Sequence, residues 1–353
     1  MNKLIGFAVV IAASSAAPAL AHHGAVGHPS RYLAGNLIEV EGEITAVFWR
    51  NPHPRLALTV AGGAGAGAVW ELELPTSPIT LERRGFSADR FPQVGERVRV
   101  AGVVSRRDET SLGVLHMLLP NGEEFVNGDR ELRWSQRRML GEARAPDPEQ
   151  VAAAQQSARS IFRVWGQNVD GTFAHPPPTS YTPFLTQRGR ELAALYVPAR
   201  DDPELGCRQG MPTTMFDPVP MQIVDAGERI LIRVQEYDIE RIVHMAPGVD
   251  GDAPPGSPLG YSVGRWEGDT LVVDTTRVEW PYFDPQGTPQ SDQTRYTERF
   301  ALSDDGNVLN YTFTAIDPVM FTRPITFHRP REWTPGIEIV PYDCIAEWDE
   351  VSG

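Results

Sequence analysis

YSVGRWEGDTLVVDTT, residues 261–276, decides the fold, because it has the pattern of two β-strands joined by a very short turn. Strand-favouring residues lie on both sides of Gly268-Asp269, and a glycine next to an aspartate is typical of hairpin turns. With these two residues as the turn, Trp266 pairs with Leu271. That pairing fixes which side chains share a face along both strands.

The same pattern continues on both sides of this hairpin. Nine short candidate strands follow one another between Gln222 and Ala346, separated by turns such as Ala226-Gly227-Glu228 and Asp304-Asp305-Gly306. Sequential antiparallel strands in this number must close or stack to hide their edges. A lipocalin-like antiparallel β-barrel is the simplest closure, and a barrel of this size can hold one small ligand.

The first part of the chain predicts a smaller barrel. Between residues 37 and 127, three strand-like runs are followed by a short helix and then by two more runs. Ser77-Pro78 marks the start of that helix, with serine as the N-cap and proline at the first helical position. Three strands, a helix and two strands is the order of an OB-like five-stranded barrel.

These patterns predict an all-β protein with four parts. Residues 1–21 are a signal peptide, and residues 22–128 are the OB-like small β-barrel domain. A helical and proline-rich linker with short helices covers residues 129–200, and residues 201–353 form the larger antiparallel β-barrel domain.

The beginning of the chain predicts export. Lys3 precedes the apolar run Leu4–Ala13, and Ala19-Leu20-Ala21 is a small-residue cleavage site. The apolar run is shorter than the roughly 20 residues that a membrane span needs. We therefore expect a periplasmic or secreted protein that begins at His22 and has no integral membrane segment after cleavage.

Composition excludes several functions. The chain has 353 residues, of which 41% are hydrophobic and 22% charged, as in ordinary globular proteins. Its net charge is −14, which disfavours a phosphate backbone and leads us to expect no nucleic-acid partner. Lys3 is the only lysine, so the mature chain has no amine side chain for Schiff-base chemistry.

The two cysteines, Cys207 and Cys344, suit an oxidising compartment. Neither lies in a Cys-x-x-Cys motif or beside the residues typical of a nucleophilic thiol. A disulfide between them is therefore favoured over its two alternatives, a two-cysteine metal site and a reactive thiol.

Six short motifs carry a resemblance to a known group of proteins. They are His22-His23-Gly24, Gly42-Glu43-Ile44-Thr45, Asn51-Pro52-His53, Cys207–Pro212, Gly264–Thr275 and Asp317-Pro318. Together they resemble an uncharacterised family of secreted bacterial two-domain proteins. Gln290-Ser291 departs from the His-Ser that members often carry. The resemblance implies a compartment and an architecture, and it implies no activity.

The hairpin register brings together residues that could carry acid–base chemistry. Arg265 and Asp274 are diagonal neighbours on the face that also holds Tyr261. If that face looks into the barrel, the three residues line a cavity, and other strands could add further side chains: Glu298, Tyr237 and His244. Buried carboxylates beside arginine and tyrosine suit proton transfer. The alternative is an ion pair that only fixes the barrel.

The histidines at the expected new N-terminus suggest a copper site. After cleavage, His22 offers both its α-amine and its imidazole to one ion, and a second histidine would complete a T-shaped set of nitrogen ligands that suits copper(II). His53 and His28 are the candidates for that second ligand. The alternative is that these histidines are ordinary tail and turn residues.

The sequence leaves three hypotheses open. In the first, the larger barrel of an exported protein binds a small, partly apolar molecule. In the second, that barrel is a lyase, isomerase or hydratase that works without an organic cofactor. In the third, the protein binds copper in the periplasm through its N-terminal histidine. A cavity with converging titratable groups favours an enzyme, and an apolar cavity favours a carrier.

Overall fold

The computed structural model describes residues 32–346, apart from 63–64, 75, 106–107, 129, 141–144, 167–175, 218 and 246–254, and describes only the backbone of residues 32–36. The predicted signal peptide, His22 and His28 lie outside the described residues. The described part is mostly β, with 15 strands in two sheets.

The first sheet is a closed barrel of the predicted OB-like kind. Its strands are β1 (Tyr32–Phe48), β2 (Arg55–Val60), β3 (Val69–Glu73), β4 (Arg97–Ser105), β5 (Ser111–Leu118) and β6 (Glu124–Val126). They pair in the order β3-β2-β1-β4-β5-β6, and a parallel pairing of β3 with β5 closes the barrel. The short strand β6 adds to the five that the sequence predicts.

Strand β1 lies at the centre of the sheet and pairs with β2 and β4 at the same time. Gly42 faces Val60 on one side and Val98 on the other. A side chain at Gly42 would collide with the backbone of Thr59, so only glycine lets β2 approach this closely. The sequence predicts a bend at Gly42, and the irregularity in the pairing with β2 lies just beyond it, after Ile44.

Helix α1 (Pro78–Arg83) lies between β3 and β4, as predicted. The Ser77 hydroxyl accepts a hydrogen bond from the Thr80 amide at 3.3 Å, which caps the helix. The other α-helices are short and lie between β6 and β8 in the sequence: α2 (Pro148–Ser157), α3 (Gln187–Ala193) and α4 (Pro198–Asp201). None of the helices among the described residues is long and apolar enough to cross a membrane.

The second sheet is a nine-stranded, nearly closed barrel. Its strands are β7 (Val164–Trp165), β8 (Met221–Asp225), β9 (Arg229–Val234), β10 (Ile239–His244), β11 (Tyr261–Glu267), β12 (Thr270–Thr276), β13 (Arg295–Leu302), β14 (Val308–Ile316) and β15 (Ile325–Glu332). They pair in chain order, and a bridge between Trp165 and Trp333 joins the two edges. The predicted larger barrel is thus confirmed.

Two details of the second barrel differ from the prediction. The pairing of β10 with β11 is parallel, because the long connection after His244 lets the chain re-enter from the same end, which a tight hairpin could not do. The ninth strand is β7, from the predicted linker, whereas residues 338–346 form no strand.

Each sheet encloses its own core. Ile44, Leu56 and Phe86 are fully buried in the first barrel, and Trp165 and Phe313 are fully buried in the second. The two clusters of buried side chains are separate. The domain boundaries at residues 128 and 200 stay predictions.

The predicted disulfide is present and holds the C-terminal segment in place. Cys207 and Cys344 lie 137 positions apart, with their Cα atoms 6.0 Å from each other. Just before Cys344, the Tyr342 amide donates to the Asp238 carboxylate at 3.0 Å. The Asn51 side-chain amide donates to the Tyr342 carbonyl. The disulfide-linked segment therefore contacts both barrels.

Candidate functional site

The hairpin at residues 261–276 has the predicted register. Trp266 pairs with Leu271, and Arg265 donates a hydrogen bond to the Asp274 carboxylate. Half of each side chain is exposed, however: 51% for Arg265 and 46% for Asp274. The face that they share is the outer face of the barrel, so the pair does not line an interior cavity.

The pair belongs to a small charge network on that outer face. Arg265 Nε donates to Glu267 at 3.0 Å, and Arg299 donates to the other Glu267 oxygen at 2.8 Å. Thr297 donates its hydroxyl proton to Asp274 at 2.7 Å. Two guanidinium groups and two carboxylates balance each other, so the network carries no net charge.

The other four predicted residues are divided among three places. Tyr261 and His244 pack their rings together at 4.9 Å on the outer face, half-buried. Tyr237 lies in the turn before β10, with its ring against that of Tyr342 at 5.4 Å. Glu298 is fully buried inside the barrel. The six residues therefore do not form one constellation, because alternation sends Glu298 to the opposite side of the sheet from Asp274.

Inside the barrel, Glu298 faces Arg241. Arg241 Nη1 donates to Glu298 Oε1 at 2.9 Å, and Nη2 donates to Oε2. The Tyr311 hydroxyl donates to Glu298 at 2.7 Å, and Arg241 also donates to the hydroxyl oxygens of Thr275 and Ser262 at 2.7 and 2.9 Å. Both charged side chains are almost without solvent contact, at 2% and 0% exposure.

In this buried network each of the two charges faces the opposite charge. Burial lowers the pKa of Arg241, but the facing Glu298 carboxylate more than offsets this and leaves the pKa raised. Burial and then Glu298 raise the pKa of Tyr311 well above its usual value. The arginine therefore stays charged and the tyrosine stays protonated. Such a paired, hydrogen-bonded network suits a structural role in the barrel interior.

Arg241 was not among the predicted site residues, although its position in the pattern of β10 indicates that it is buried. In β10 it alternates with exposed residues and shares the inward face with Ile239 and Val243. A charged residue in an otherwise apolar alternation is rarely buried unless it is paired. Glu298 stands in the same position on β13, between Tyr296 and Phe300. Two opposite charges on two apolar faces would have predicted the pair.

A cleft of about 630 Å³ lies at one end of the second barrel. The segment around Phe162, the β8–β9 turn, the end of β10 and the end of β11 meet there. Seven residues line it: Phe162, Asp225, Gly227, Ile230, Met245, Arg265 and Trp266. Its volume lies within the range of sites for small organic molecules, roughly 300–1,000 Å³.

Two aromatic and two other apolar side chains line this cleft. The rings of Phe162 and Trp266 meet edge to face, 6.1 Å between centroids. Ile230 is buried, and Met245 is half-buried beside it. Gly264 makes room for Met245, since a Cβ there would come within 2.7 Å of the methionine sulfur. Trp266 keeps 41% of its surface exposed, unusual for so large an apolar side chain.

The predicted metal ligand His53 lies in a second, very small cleft on the first barrel. Its Nδ1 is 2.5 Å from Glu73 Oε1, and both side chains are mostly buried, at 14% and 11% exposure. The cleft holds about 10 Å³ and is also lined by Arg50 and Arg55. Among the described residues, no group of three or more His, Cys, Asp or Glu side chains could hold a metal ion.

A second histidine–carboxylate pair shows what a structural pair looks like in this barrel. His116 Nδ1 lies 2.8 Å from Glu124 Oε1. Glu124 is fully buried and also accepts hydrogen bonds from the backbone amides of residues 133–135. Burial alone would raise the pKa of Glu124, but these hydrogen bonds leave it lowered. The pair fixes the chain that follows β6.

Comparison with known proteins links the first barrel to an uncharacterised family. A family described as a family of unknown function (DUF6152) matches residues 10–114. The match includes Asn51-Pro52-His53 and reaches into β5, and it covers less than half of the chain. No curated protein matches this sequence.

Proposed function

We propose that the protein binds a small, partly apolar molecule in the cleft at the end of the second barrel. The observation that carries the proposal is the exposed Trp266 ring on a cleft of about 630 Å³. A cleft lined by aromatic and other apolar side chains together with a few polar groups is typical of small-molecule sites. The enzyme hypothesis has less support, because the six residues it names are separated.

A fluorescent apolar probe tests this function. N-phenyl-1-naphthylamine should bind saturably, about one molecule per chain. Trp266→Ala should weaken its binding roughly tenfold, since truncating a large aromatic contact commonly costs more than 1 kcal/mol of binding free energy. Leu195→Ala is the matched control, because Leu195 is also a large exposed apolar residue and does not line the cleft.

Two results would contradict the proposal. Probe binding that does not saturate indicates general adsorption to apolar surface. Equal affinity in the Trp266→Ala variant and the wild type places the bound probe elsewhere.

We further propose that the protein acts outside the cytoplasm, as a secreted two-domain protein of the kind its motifs resemble. Residues 1–21 carry the pattern of a cleaved signal peptide, and the disulfide suits an oxidising compartment. N-terminal sequencing of the protein isolated from a periplasmic fraction should begin at His22. A mature chain that begins at Met1 would contradict export by this signal.

Copper binding is a second candidate function, favoured by one observation. Metal-binding histidines usually have one ring nitrogen held by a carboxylate, which orients the other toward the ion. The contact between His53 Nδ1 and Glu73 matches this arrangement. His22, which would supply its α-amine and its imidazole, and His28, the alternative second histidine, lie outside the described residues. Arg50 and Arg55 line the same cleft, and their charge opposes a cation, so we rank this function second.

The copper proposal depends on the amine of His22. Copper(II) alone should bind the mature protein at about one equivalent, and His53→Ala should weaken that binding, whereas His328→Ala, at an exposed histidine of the second barrel, should not. Because protons compete for the nitrogen ligands, binding should weaken below about pH 6. Equal affinity in a form with an extra N-terminal methionine would contradict the site.

A further inference from the structure

The charges around the cleft differ in whether they are neutralised. Arg265 lies between two carboxylates, Glu267 and Asp274, so its positive charge is compensated. Asp225, the last residue of β8 before the β8–β9 turn, also lines the cleft. Its Oδ1 accepts a hydrogen bond from the Gly227 amide at 2.9 Å, and among the described residues it has no cationic partner.

The next residues of that turn do not change this balance. Glu228 and Arg229 carry opposite charges and add no net charge. Among the residues that line the cleft, the uncompensated charge is therefore the Asp225 carboxylate. The whole chain, with a net charge of −14, also attracts cations rather than anions.

The cleft walls suit a cation as well. A positively charged group is attracted to the face of an aromatic ring, most strongly to tryptophan. Trp266 exposes 41% of its surface beside Phe162, and the carboxylate of Asp225 lines the same cleft. Aromatic rings with a nearby carboxylate are the chemistry that recognises organic ammonium groups, while Ile230 and Met245 accommodate an apolar body.

Building on the proposed function, we propose that the ligand is an organic cation: an amine or quaternary ammonium that carries an apolar or aromatic group. Trp266 and Phe162 contact the ligand, and Asp225 selects its positive charge. The compensated Arg265 borders the ligand without attracting an anion.

Three probes that share a phenylbutyl group and differ in charge test this inference: (4-phenylbutyl)trimethylammonium, 4-phenylbutan-1-ol and 5-phenylpentanoate. Each competes with N-phenyl-1-naphthylamine for the cleft of the full-length protein. The cation should displace the dye at a roughly tenfold lower concentration than the alcohol, and the anion should be the weakest competitor. Because Asp225 is exposed to solvent, the preference should shrink with added salt.

Asp225→Asn separates charge selection from cleft formation. It should bring the cation to within about twofold of the alcohol and leave the alcohol unchanged. Asp292→Asn is the matched control. It removes one exposed negative charge just before β13, and Asp292 does not line the cleft. It should keep the preference for the cation.

The outcomes separate the two proposals. Equal displacement by all three probes, or tightest binding of the anion, overturns the inference and leaves the binding function standing. A cation preference that survives in Asp225→Asn also overturns it. Absence of any Trp266-dependent binding overturns the proposed function and the inference together.

Discussion

Two arginine–carboxylate pairs on the same sheet lie in opposite environments. Arg265 and Asp274 keep 51% and 46% of their side-chain surface exposed, whereas Arg241 and Glu298 keep 2% and 0%. The two pairs meet neighbouring residues of β13: Thr297 contacts Asp274, and the next residue, Glu298, contacts Arg241. A single step along a strand reverses the direction of the side chain.

That step changes what each pair does for the fold. Water and salt screen the exposed pair, so its contribution to stability is small. In the buried pair each charge has lost its hydration and depends on its partner, so removing one leaves the other uncompensated. The same two chemical groups therefore contribute little to stability in the exposed pair and a great deal in the buried pair. Substitutions can measure the difference.

The largest effect is expected for Glu298→Gln, which keeps the size of the side chain and removes its charge. Arg241 then stays charged and buried beside neutral groups only. We expect a loss of about 3–5 kcal/mol in the free energy of unfolding, measured by urea denaturation at neutral pH.

A double variant distinguishes a lost partner from poor packing. Arg241→Met combined with Glu298→Leu removes both charges and keeps apolar volume, and it should recover most of the lost stability. If Glu298→Gln lowers the free energy of unfolding by about 1 kcal/mol or less, as for an exposed pair, the two pairs do not differ in their contribution to stability.

A smaller loss is expected for Tyr311→Phe. The variant keeps the ring, which packs against Phe300 at 4.8 Å, and removes the hydroxyl that donates to Glu298. A hydrogen bond to a charged group contributes about 1.5–3 kcal/mol to stability. Tyr261→Phe is the matched control on the outer face and should change stability by less than about 0.5 kcal/mol. Equal losses in the two variants would contradict the assignment of faces.

The buried tyrosines also predict how stability depends on alkaline pH. Burial comes first among the causes that raise the pKa of Tyr181, Tyr296 and Tyr311 well above the usual value, followed by nearby carboxylates. Above about pH 10 the unfolded chain releases protons that the folded chain retains, so stability is full below that pH and falls as pH rises. Each tyrosine contributes up to about 1.4 kcal/mol per pH unit to this fall.

Tyr311→Phe should therefore flatten the alkaline decline. Urea denaturation between about pH 9 and pH 11 measures the slope for the wild type and the variant. The exposed pair contains no tyrosine, so it should play no part in this slope. Parallel slopes in the two proteins would show that Tyr311 does not keep its proton in the fold.

Local rules predict the parts of the fold that lie within a few residues of one another. The Gly268-Asp269 turn fixes the hairpin register, and Ser77-Pro78 fixes the start of α1, because both depend on local backbone geometry. The disulfide follows from two cysteines in a chain with a predicted export signal. The parallel pairing of β10 with β11 escapes prediction, since it depends on the path of the long connection between them.

The site was harder to predict because alternation says which residues share a face and not which face looks inward. Arg265, Asp274 and Tyr261 do share a face of the sheet, and it is the outer face of the barrel. Val272, fully buried on that same side of the hairpin, makes both faces of β12 look apolar in the sequence. The cleft at Trp266 depends on four chain segments that are separated in sequence, which local patterns cannot bring together.

Asp274→Asn is expected to have the smallest effect on stability. The carboxylate is exposed and Arg265 keeps its contact with Glu267, so the urea midpoint should move by only a small part of the shift for Glu298→Gln. The remaining difference should disappear at about 1 M NaCl, where exposed charges are screened. A shift that rivals the Glu298 variant would mean that the outer pair fixes the barrel.

The same substitution, Asp274→Asn, should instead change ligand binding at the cleft. With Asp274 neutral, Arg265 has one carboxylate fewer to compensate its charge, and it lines the cleft that we assign to an organic cation. Binding of (4-phenylbutyl)trimethylammonium should weaken by a factor of about two to five at low salt, while 4-phenylbutan-1-ol keeps its affinity. Competition with N-phenyl-1-naphthylamine measures both. If the two probes weaken equally, the substitution has altered the shape of the cleft, and the outer pair is a support for Trp266 rather than a balance of charge.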